Sequence, residues 1–115
     1  MILVGSVVLV LLVALWFTKN HDPAPLAGEV ADRLAAAHAI IYVSAGEPES
    51  EQEQQLFGPY WSELNIIDCA VDTLKCEENE ITDWPTLVLP DFGVQIVGLQ
   101  TMEDYQNLLV RLNIW

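Results

Sequence analysis

Two apolar runs on either side of a helical segment place the strongest constraint on the fold of this chain. The runs HAIIYVSA (38–45) and NIIDCAV (65–71) are rich in β-branched residues and predict strands, the first one buried on both faces. Residues 49–64 lie between them and carry apolar side chains at helical spacing. Because a strand, a helix and a strand in this order form a parallel pair through a crossover, the chain is predicted to contain a buried βαβ unit.

The flanking segments predict the remainder of an α/β domain. Composition and periodicity indicate helices over 29–37, 73–81 and 101–112, and strands over 85–89 and 93–99. A Pro-Asp-Phe-Gly turn joins the last two strands, so they are expected to form an antiparallel hairpin. Thr101 and Asp104 are expected to cap the last helix. A parallel unit, a hairpin and a covering helix together make up the thioredoxin-like architecture.

An apolar block occupies the start of the chain, where every residue up to Phe17 except Ser6 is apolar. With its flanking residues this block reaches the lower end of the helix length that crosses a hydrocarbon core of about 30 Å. A cleaved secretory signal is the competing interpretation, but the block has no basic leading region and ends in bulky aromatic residues. The predicted organisation is a transmembrane anchor over 1–18, a linker over 19–28 and a thioredoxin-like domain over 29–115.

Charge argues against several classes of function. The formal net charge is −13, with only four Lys and Arg residues and no basic patch. Nucleic-acid binding and attraction to anionic lipid are therefore not expected. The two histidines, His21 and His38, lack the spacing of metal ligands, so no metal and no cofactor are expected. Phosphate-binding, serine hydrolase and zinc peptidase motifs are also absent from the sequence.

Several short motifs follow one another in an order that resembles a known family. In chain order they are Leu56-Phe57-Gly58, Asp68-Cys69, Cys76, Trp84-Pro85-Thr86 and Gly98-Leu99-Gln100. Over residues 38–112 this pattern resembles the thioredoxin-like domain that is fused to, or accompanies, bacterial and plant vitamin K epoxide reductase homologues. In that family a Cys-Pro-His-Cys redox loop precedes the helix that ends in Leu-Phe-Gly.

The resemblance places the redox loop on Glu47-Pro48-Glu49-Ser50. The proline is kept, but Glu47 and Ser50 stand where the two cysteines are expected. Disulfide exchange needs an attacking thiolate and a resolving thiol, so this degenerate loop is predicted to be inactive in redox chemistry.

The acidic segment 47–53 coincides with the predicted start of the crossover helix. Ser50 and Glu53 match the S-x-x-E pattern of a capping box there. A helix N-terminus offers unpaired N–H groups and the positive end of the dipole, which carboxylates can use without any reactivity. A solvated acidic helix start is the expected arrangement, and docking on a basic partner is the alternative.

The resemblance also assigns roles to Pro85 and to the two cysteines. Pro85 would be the cis-proline that faces the redox loop. The family has a second cysteine pair in this region, with wider spacing, which makes Cys69 and Cys76 candidates for a structural disulfide. Two buried reduced thiols and a working redox pair are the alternatives. A disulfide would imply an oxidising compartment.

The predicted function is that of a membrane-anchored, redox-inactive accessory or scaffold subunit of a larger membrane-associated assembly. A photosynthetic or respiratory complex and a viral particle are the assemblies considered. Residues 1–18 would contact the bilayer, with the domain on the lumenal, periplasmic or exterior side, and Trp16 and Trp115 are candidates for contacts with other subunits. The alternatives are an atypical thiol–disulfide oxidoreductase that uses Cys69 and Cys76, and a binder of extended chains at Pro85.

Overall fold

A computed structural model describes residues 25–115, so the predicted anchor over 1–18 lies outside the described part of the chain. Within 25–115, no helix is both long enough and apolar enough to cross a membrane. The described elements are the helices α1 (Pro25–Ala36), α2 (Pro48–Phe57), α3 (Thr73–Glu78) and α4 (Met102–Arg111), the strands β1 (Ile40–Val43), β2 (Asn65–Asp68), β3 (Thr86–Leu89) and β4 (Val94–Val97), and the 3₁₀-helices Gly58–Glu63 and Pro90–Phe92.

The four strands form one mixed sheet in the order β2-β1-β3-β4. β1 runs parallel to β2, with Ile41 opposite Ile66. β1 is antiparallel to β3, and β3 is antiparallel to β4. The predictions of an α/β domain, a parallel βαβ unit and a C-terminal hairpin are therefore confirmed. The Pro-Asp-Phe-Gly turn of the hairpin is a 3₁₀ turn that ends at Gly93 in the left-handed region, with φ of 62°.

The first helix and the first two strands have different bounds from those predicted. α1 begins at Pro25, inside the predicted linker 19–28, because proline suits the first turn of a helix. β2 ends at Asp68 rather than at residue 71. The Asp68 carboxylate accepts the N–H of Ala70 at 2.9 Å, and this bond turns the chain out of the sheet.

The predicted helix over 49–64 consists of two helices of different type. α2 ends at Phe57, and a 3₁₀-helix continues from Gly58 to Glu63. Gly58 has φ of 56°, a conformation that glycine adopts without steric cost. Pro59 follows and has no N–H with which to continue the α-helical ladder. The helical segment therefore changes type at this glycine–proline pair.

One face of the sheet is covered by α1, α2 and α4. Val30 and Leu34 of α1 are buried there, as is Ala37, which follows the helix. The core on this side also contains Ala31, Ala39, Ile41, Val43, Phe57, Leu87, Leu89, Tyr105, Leu108 and Leu109. A smaller cluster consists of Tyr42, Ile67, Cys69, Cys76 and Ile81. Its strand residues, Tyr42 and Ile67, alternate with residues of the main core along β1 and β2. Alternation places that cluster on the opposite face of the sheet.

Gly28 allows α1 to approach the 3₁₀-helix closely. A Cβ atom at this position would lie 3.0 Å from two carbon atoms of the Tyr60 ring. This distance is shorter than nine in ten real Cβ contacts, so the Tyr60 ring would have to shift by a few tenths of an ångström. The missing side chain of Gly28 therefore sets how closely Tyr60 packs on α1.

Truncation of Leu34 should test the main core. Leu34 is fully buried, so Leu34→Ala is expected to lower the free energy of unfolding by about 2–5 kcal/mol through lost transfer energy and a residual cavity. The matched control is Leu74→Ala, because Leu74 is 66% exposed and its loss should change stability by no more than about 0.5 kcal/mol. Urea unfolding followed by tryptophan fluorescence measures both variants. Equal effects would contradict the core assignment.

Candidate functional site

The degenerate loop forms the cap of α2. Glu47 is the N-cap residue, and its carboxylate accepts the N–H of Glu49 at 3.1 Å and that of Ser50 at 2.8 Å. The predicted capping box of Ser50 and Glu53 is therefore wrong. Glu47 takes that role because its side chain reaches the free N–H groups of the first turn from three residues before Ser50.

Glu47 and Ser50, which the family resemblance aligns with two cysteines, are hydrogen-bonded to each other. The Ser50 hydroxyl donates to the Glu47 carboxylate at 2.9 Å and accepts the N–H of Ser44 at 3.1 Å. Partial burial alone would raise the pKa of the Glu47 carboxyl, but the hydrogen bonds from Glu49 and Ser50 outweigh it and hold the pKa below its ordinary value. Ser50 is buried, with 5% of its surface exposed.

The Asp68 carboxylate joins the loop to the end of β2. Its Oδ1 atom accepts the N–H of Ala45 at 3.1 Å as well as that of Ala70 at 2.9 Å. The N–H of Cys69 donates to the carbonyl of Val43 at 2.7 Å and extends the parallel pair by one bond. The carboxyl ends of β1 and β2 are thus held together beside the loop.

A cleft of about 350 Å³ opens next to this loop. It lies between α2, the 3₁₀-helix and the ends of β1 and β2. Its lining includes Ser44, Glu51, Gln54, Trp61, Ile66 and Asp68. Two carboxylates and an indole line this space without any Lys or Arg, so the cleft suits a neutral or a positively charged group.

Pro85 lies on the sheet side of the same region. The peptide bond between Trp84 and Pro85 is cis, and Pro85 is buried. Because Tyr42 pairs with Thr86, the antiparallel register places Pro85 beside Val43, the last residue of β1 before the loop. The N–H of Gly98 donates to the Pro85 carbonyl at 2.8 Å. The Trp84-Pro85-Thr86 motif, Gly98 and the loop that follows Val43 therefore lie together at one end of the sheet.

Cys69 and Cys76 form a disulfide, which confirms the predicted pairing. Their Cα atoms are 5.7 Å apart, and both residues are buried. The bridge belongs to the small cluster with Tyr42, Ile67 and Ile81, on the opposite sheet face from α2. The described residues contain no free cysteine. A redox site would need cysteines at the N-terminus of a helix. Here the disulfide and the N-terminus of α2 lie on different sides of the sheet.

Of the two tryptophans predicted to contact other subunits, only Trp115 lies within the described residues. Trp16 lies outside the described residues. Trp115 is half-buried against the main core, and the Arg33 guanidinium lies 5.1 Å from the centre of its ring. Trp115 therefore packs on α1 of its own chain. His38 is exposed and lies 2.9 Å from the Asp91 carboxylate, away from the loop and its cleft.

Glu53 is a buried acidic residue that the sequence interpretation placed in solvent. The expectation of a solvated acidic segment over 47–53 is wrong at this position, because Glu53 has no exposed surface. Its Oε1 atom accepts the hydroxyl of Tyr105, and its Oε2 atom has no hydrogen-bond partner within 25–115. Glu53 lies four residues before the buried Phe57, and this helical spacing is the signal that could have located it.

The environment of Glu53 favours the protonated carboxyl. Burial raises the pKa of Glu53 to about 7, although the Tyr105 hydroxyl and the backbone N–H of Gln100 favour the charged form. Burial, together with the nearby Glu53 carboxyl, raises the pKa of Tyr105 above its ordinary value. Tyr105 is therefore a hydrogen-bond donor throughout the physiological pH range.

No protein-family model matches this chain, and a search of curated proteins finds no match either. Within the described residues, no group of three or more His, Cys, Asp or Glu side chains is placed to hold a metal ion.

The pH dependence of stability should reveal Glu53. The folded-state pKa of about 7 lies above the ordinary value of 4.5, so the folded state holds this proton more tightly than the unfolded chain. The contribution of Glu53 to the free energy of unfolding is fully present below pH 4.5. It is lost as pH rises through 7, which lowers the free energy of unfolding by about 3 kcal/mol. Urea unfolding of the wild type and Glu53→Gln between pH 4 and 8 measures it, since the amide cannot titrate.

Glu51→Gln is the matched control, because Glu51 is exposed on the same helix. This variant should keep the pH profile of the wild type, whereas Glu53→Gln should be flatter over the same interval. Parallel profiles for the wild type and Glu53→Gln would contradict the assignment.

Reduction of the disulfide should destabilise the domain. The bridge closes a loop with a sequence separation of 7, for which chain entropy gives a contribution of roughly 2–3 kcal/mol. Urea unfolding of the wild type with and without a phosphine reductant measures this loss. The double variant Cys69→Ala/Cys76→Ala should be insensitive to the reductant. An unchanged wild-type midpoint after complete reduction would contradict a stabilising role.

Proposed function

We propose that this chain is a redox-inactive thioredoxin-like module that serves as an accessory or scaffold subunit of a membrane-associated assembly, anchored through residues 1–18. The observation that supports it most strongly is the Glu47–Ser50 hydrogen bond at the start of α2. A thioredoxin-like enzyme needs a reactive thiolate at that helix N-terminus. Here a carboxylate and a hydroxyl occupy the two positions and satisfy each other.

The arrangement of the sheet is compatible with the thioredoxin-like assignment. A parallel βαβ unit, an antiparallel hairpin and a C-terminal helix occur in the expected order. The cis Trp84–Pro85 bond lies at the end of the sheet where the loop begins.

The alternative function, an oxidoreductase that uses Cys69 and Cys76, receives little support from the position of the disulfide. Redox-active cysteines are usually accessible and have a lowered thiol pKa near a helix N-terminus or a cation. Cys69 is 8% exposed and Cys76 is 3% exposed, and their bridge packs against Tyr42 and Ile67. A buried bridge of this kind is typical of structural disulfides.

The surface of the described domain favours protein contacts. It is strongly acidic, and it exposes the large apolar side chains of Val71, Leu74, Phe92, Val97, Leu99 and Val110. Exposed apolar groups with a polar surround are common at protein interfaces. Since a structural disulfide persists mainly in oxidising compartments, we place the domain on the lumenal, periplasmic or exterior side.

The redox proposal is tested by insulin reduction with dithiothreitol as electron donor. The full chain in a mild detergent is expected to give only the uncatalysed rate, because no thiol lies at the start of α2. The double variant Glu47→Cys/Ser50→Cys puts a cysteine pair there and should raise the rate above background. Wild-type catalysis that disappears in Cys69→Ala/Cys76→Ala would establish the oxidoreductase alternative instead.

The scaffold role is tested separately by purification of the chain from its native membranes in a mild detergent. Other subunits should travel with the chain in an assembly larger than the monomer. Quantitative recovery of a monomer after chemical crosslinking in intact membranes would contradict the role.

A further inference from the structure

We propose that the cleft beside Trp61 and the disulfide loop, residues 69–76, form one docking surface for a basic amphipathic segment of another protein. A Lys or Arg side chain of that segment enters the cleft, and neighbouring apolar side chains cover Val71 and Leu74. This inference rests on the proposed scaffold function and specifies its contact surface.

The disulfide loop carries the two most exposed large apolar side chains of the described domain. Val71 is 83% exposed and Leu74 is 66% exposed, and only three positions separate them. The remaining exposed apolar side chains are distributed over the hairpin, the segment after it and α4. Because such exposure is unfavourable in water, this pair marks a surface that another molecule covers.

The loop holds these side chains in a fixed arrangement. The disulfide closes the loop, and both of its cysteines are buried. Inside the loop, the N–H of Asp72 donates to the Asp68 carbonyl at 2.8 Å, and beyond it the N–H of Ile81 donates to the Cys76 carbonyl at 2.9 Å. A surface ordered before binding loses less conformational entropy when a partner docks.

A single carboxylate joins the loop to the cleft. Oδ1 of Asp68 accepts one N–H from Ala45, which lines the cleft, and one from Ala70, which precedes Val71. The carboxylate of Asp68 itself lines the cleft. The cleft and the start of the loop therefore adjoin at Asp68, and a segment that contacts both would pass over this residue.

Charge identifies the occupant as a basic segment. The cleft is lined by Glu51 and Asp68, and within 25–115 neither forms an ion pair with Lys or Arg. The loop itself carries one acid and one base, Asp72 and Lys75, whereas the segment after it carries Glu77, Glu78, Glu80 and Asp83 without any Lys or Arg. The Trp61 ring offers a face on which a cation is attracted.

The same charge argues against two other occupants. A second copy of this chain would bring its own net charge of −13 to an acidic surface. The apolar segment 1–18 contains no Lys or Arg side chain that could enter the cleft. A separate protein with Lys or Arg beside apolar residues meets both requirements.

Fluorescence anisotropy with three labelled peptides tests the proposal. The probe is a twelve-residue peptide of alternating lysine and leucine pairs, compared with one that has glutamate for lysine and one that has serine for leucine. The full chain is held in zwitterionic nanodiscs, and empty nanodiscs serve as the blank. The lysine–leucine peptide should bind at least about tenfold more tightly than either comparison peptide, and more weakly as salt increases.

Two sets of variants locate the surface. Val71→Ser/Leu74→Ser and Glu51→Gln should each weaken binding of the lysine–leucine peptide by about tenfold. The matched controls are Val110→Ser and Glu103→Gln on α4, which should leave the affinity unchanged. Equal binding by the glutamate peptide, equal losses in the controls, or a dimer that Val71→Ser/Leu74→Ser disrupts would each overturn the proposal.

Failure of this inference can be told apart from failure of the scaffold function. If the subunits that co-purify from native membranes remain bound in Val71→Ser/Leu74→Ser, the scaffold function stands and the docking surface is wrong. Insulin reduction by the wild type would instead overturn the redox-inactive function, whatever the peptides do.

Discussion

A buried carboxyl group links two of the helices that cover the main core. Glu53 of α2 accepts a hydrogen bond from Tyr105 of α4 across a sequence separation of 52 residues. The Phe57 ring lies 5.7 Å from the Tyr105 ring and closes the same contact. Because an isolated buried carboxylate is costly, this contact depends on a proton or a donor at Glu53. The position of α2, and with it the loop at its start, depends on that pair.

The position of α2 determines what the loop can do. In thioredoxin-like enzymes the field of a helix N-terminus stabilises a thiolate, and here the same N–H groups are taken by the Glu47 carboxylate. The domain retains a sulfur–sulfur bond, but on the other face of the sheet, where it closes a short loop. The disulfide and the N-terminus of α2 therefore lie on different sides of the sheet.

The sequence was sufficient for those features that depend on local pattern. Period-2 and period-3.6 patterns predicted the βαβ unit, the hairpin and the last helix, and the Thr101–Asp104 capping box is present. The cysteine pair was predicted through a family resemblance and is bridged. These features follow from neighbouring residues, which a sequence shows directly.

Features that depend on distant contacts were missed. Glu53 was placed in solvent because acidic neighbours surround it, whereas a hydroxyl on α4 allows it to be buried. The N-cap was placed at Ser50 because the pattern S-x-x-E is common, whereas the Glu47 side chain reaches the same N–H groups. The second strand was predicted to run to residue 71, whereas it ends at Asp68, whose carboxylate accepts the N–H of Ala70.

The close contact between Gly28 and Tyr60 brings α1 near one wall of the cleft. Tyr60, which touches Gly28, directly precedes Trp61, which forms a wall of the cleft. A methyl group added at Gly28 would require the Tyr60 ring to give way by a few tenths of an ångström. Position 28 is therefore a place where one carbon atom would alter how the 3₁₀-helix sits on α1, next in the chain to a residue of the cleft wall.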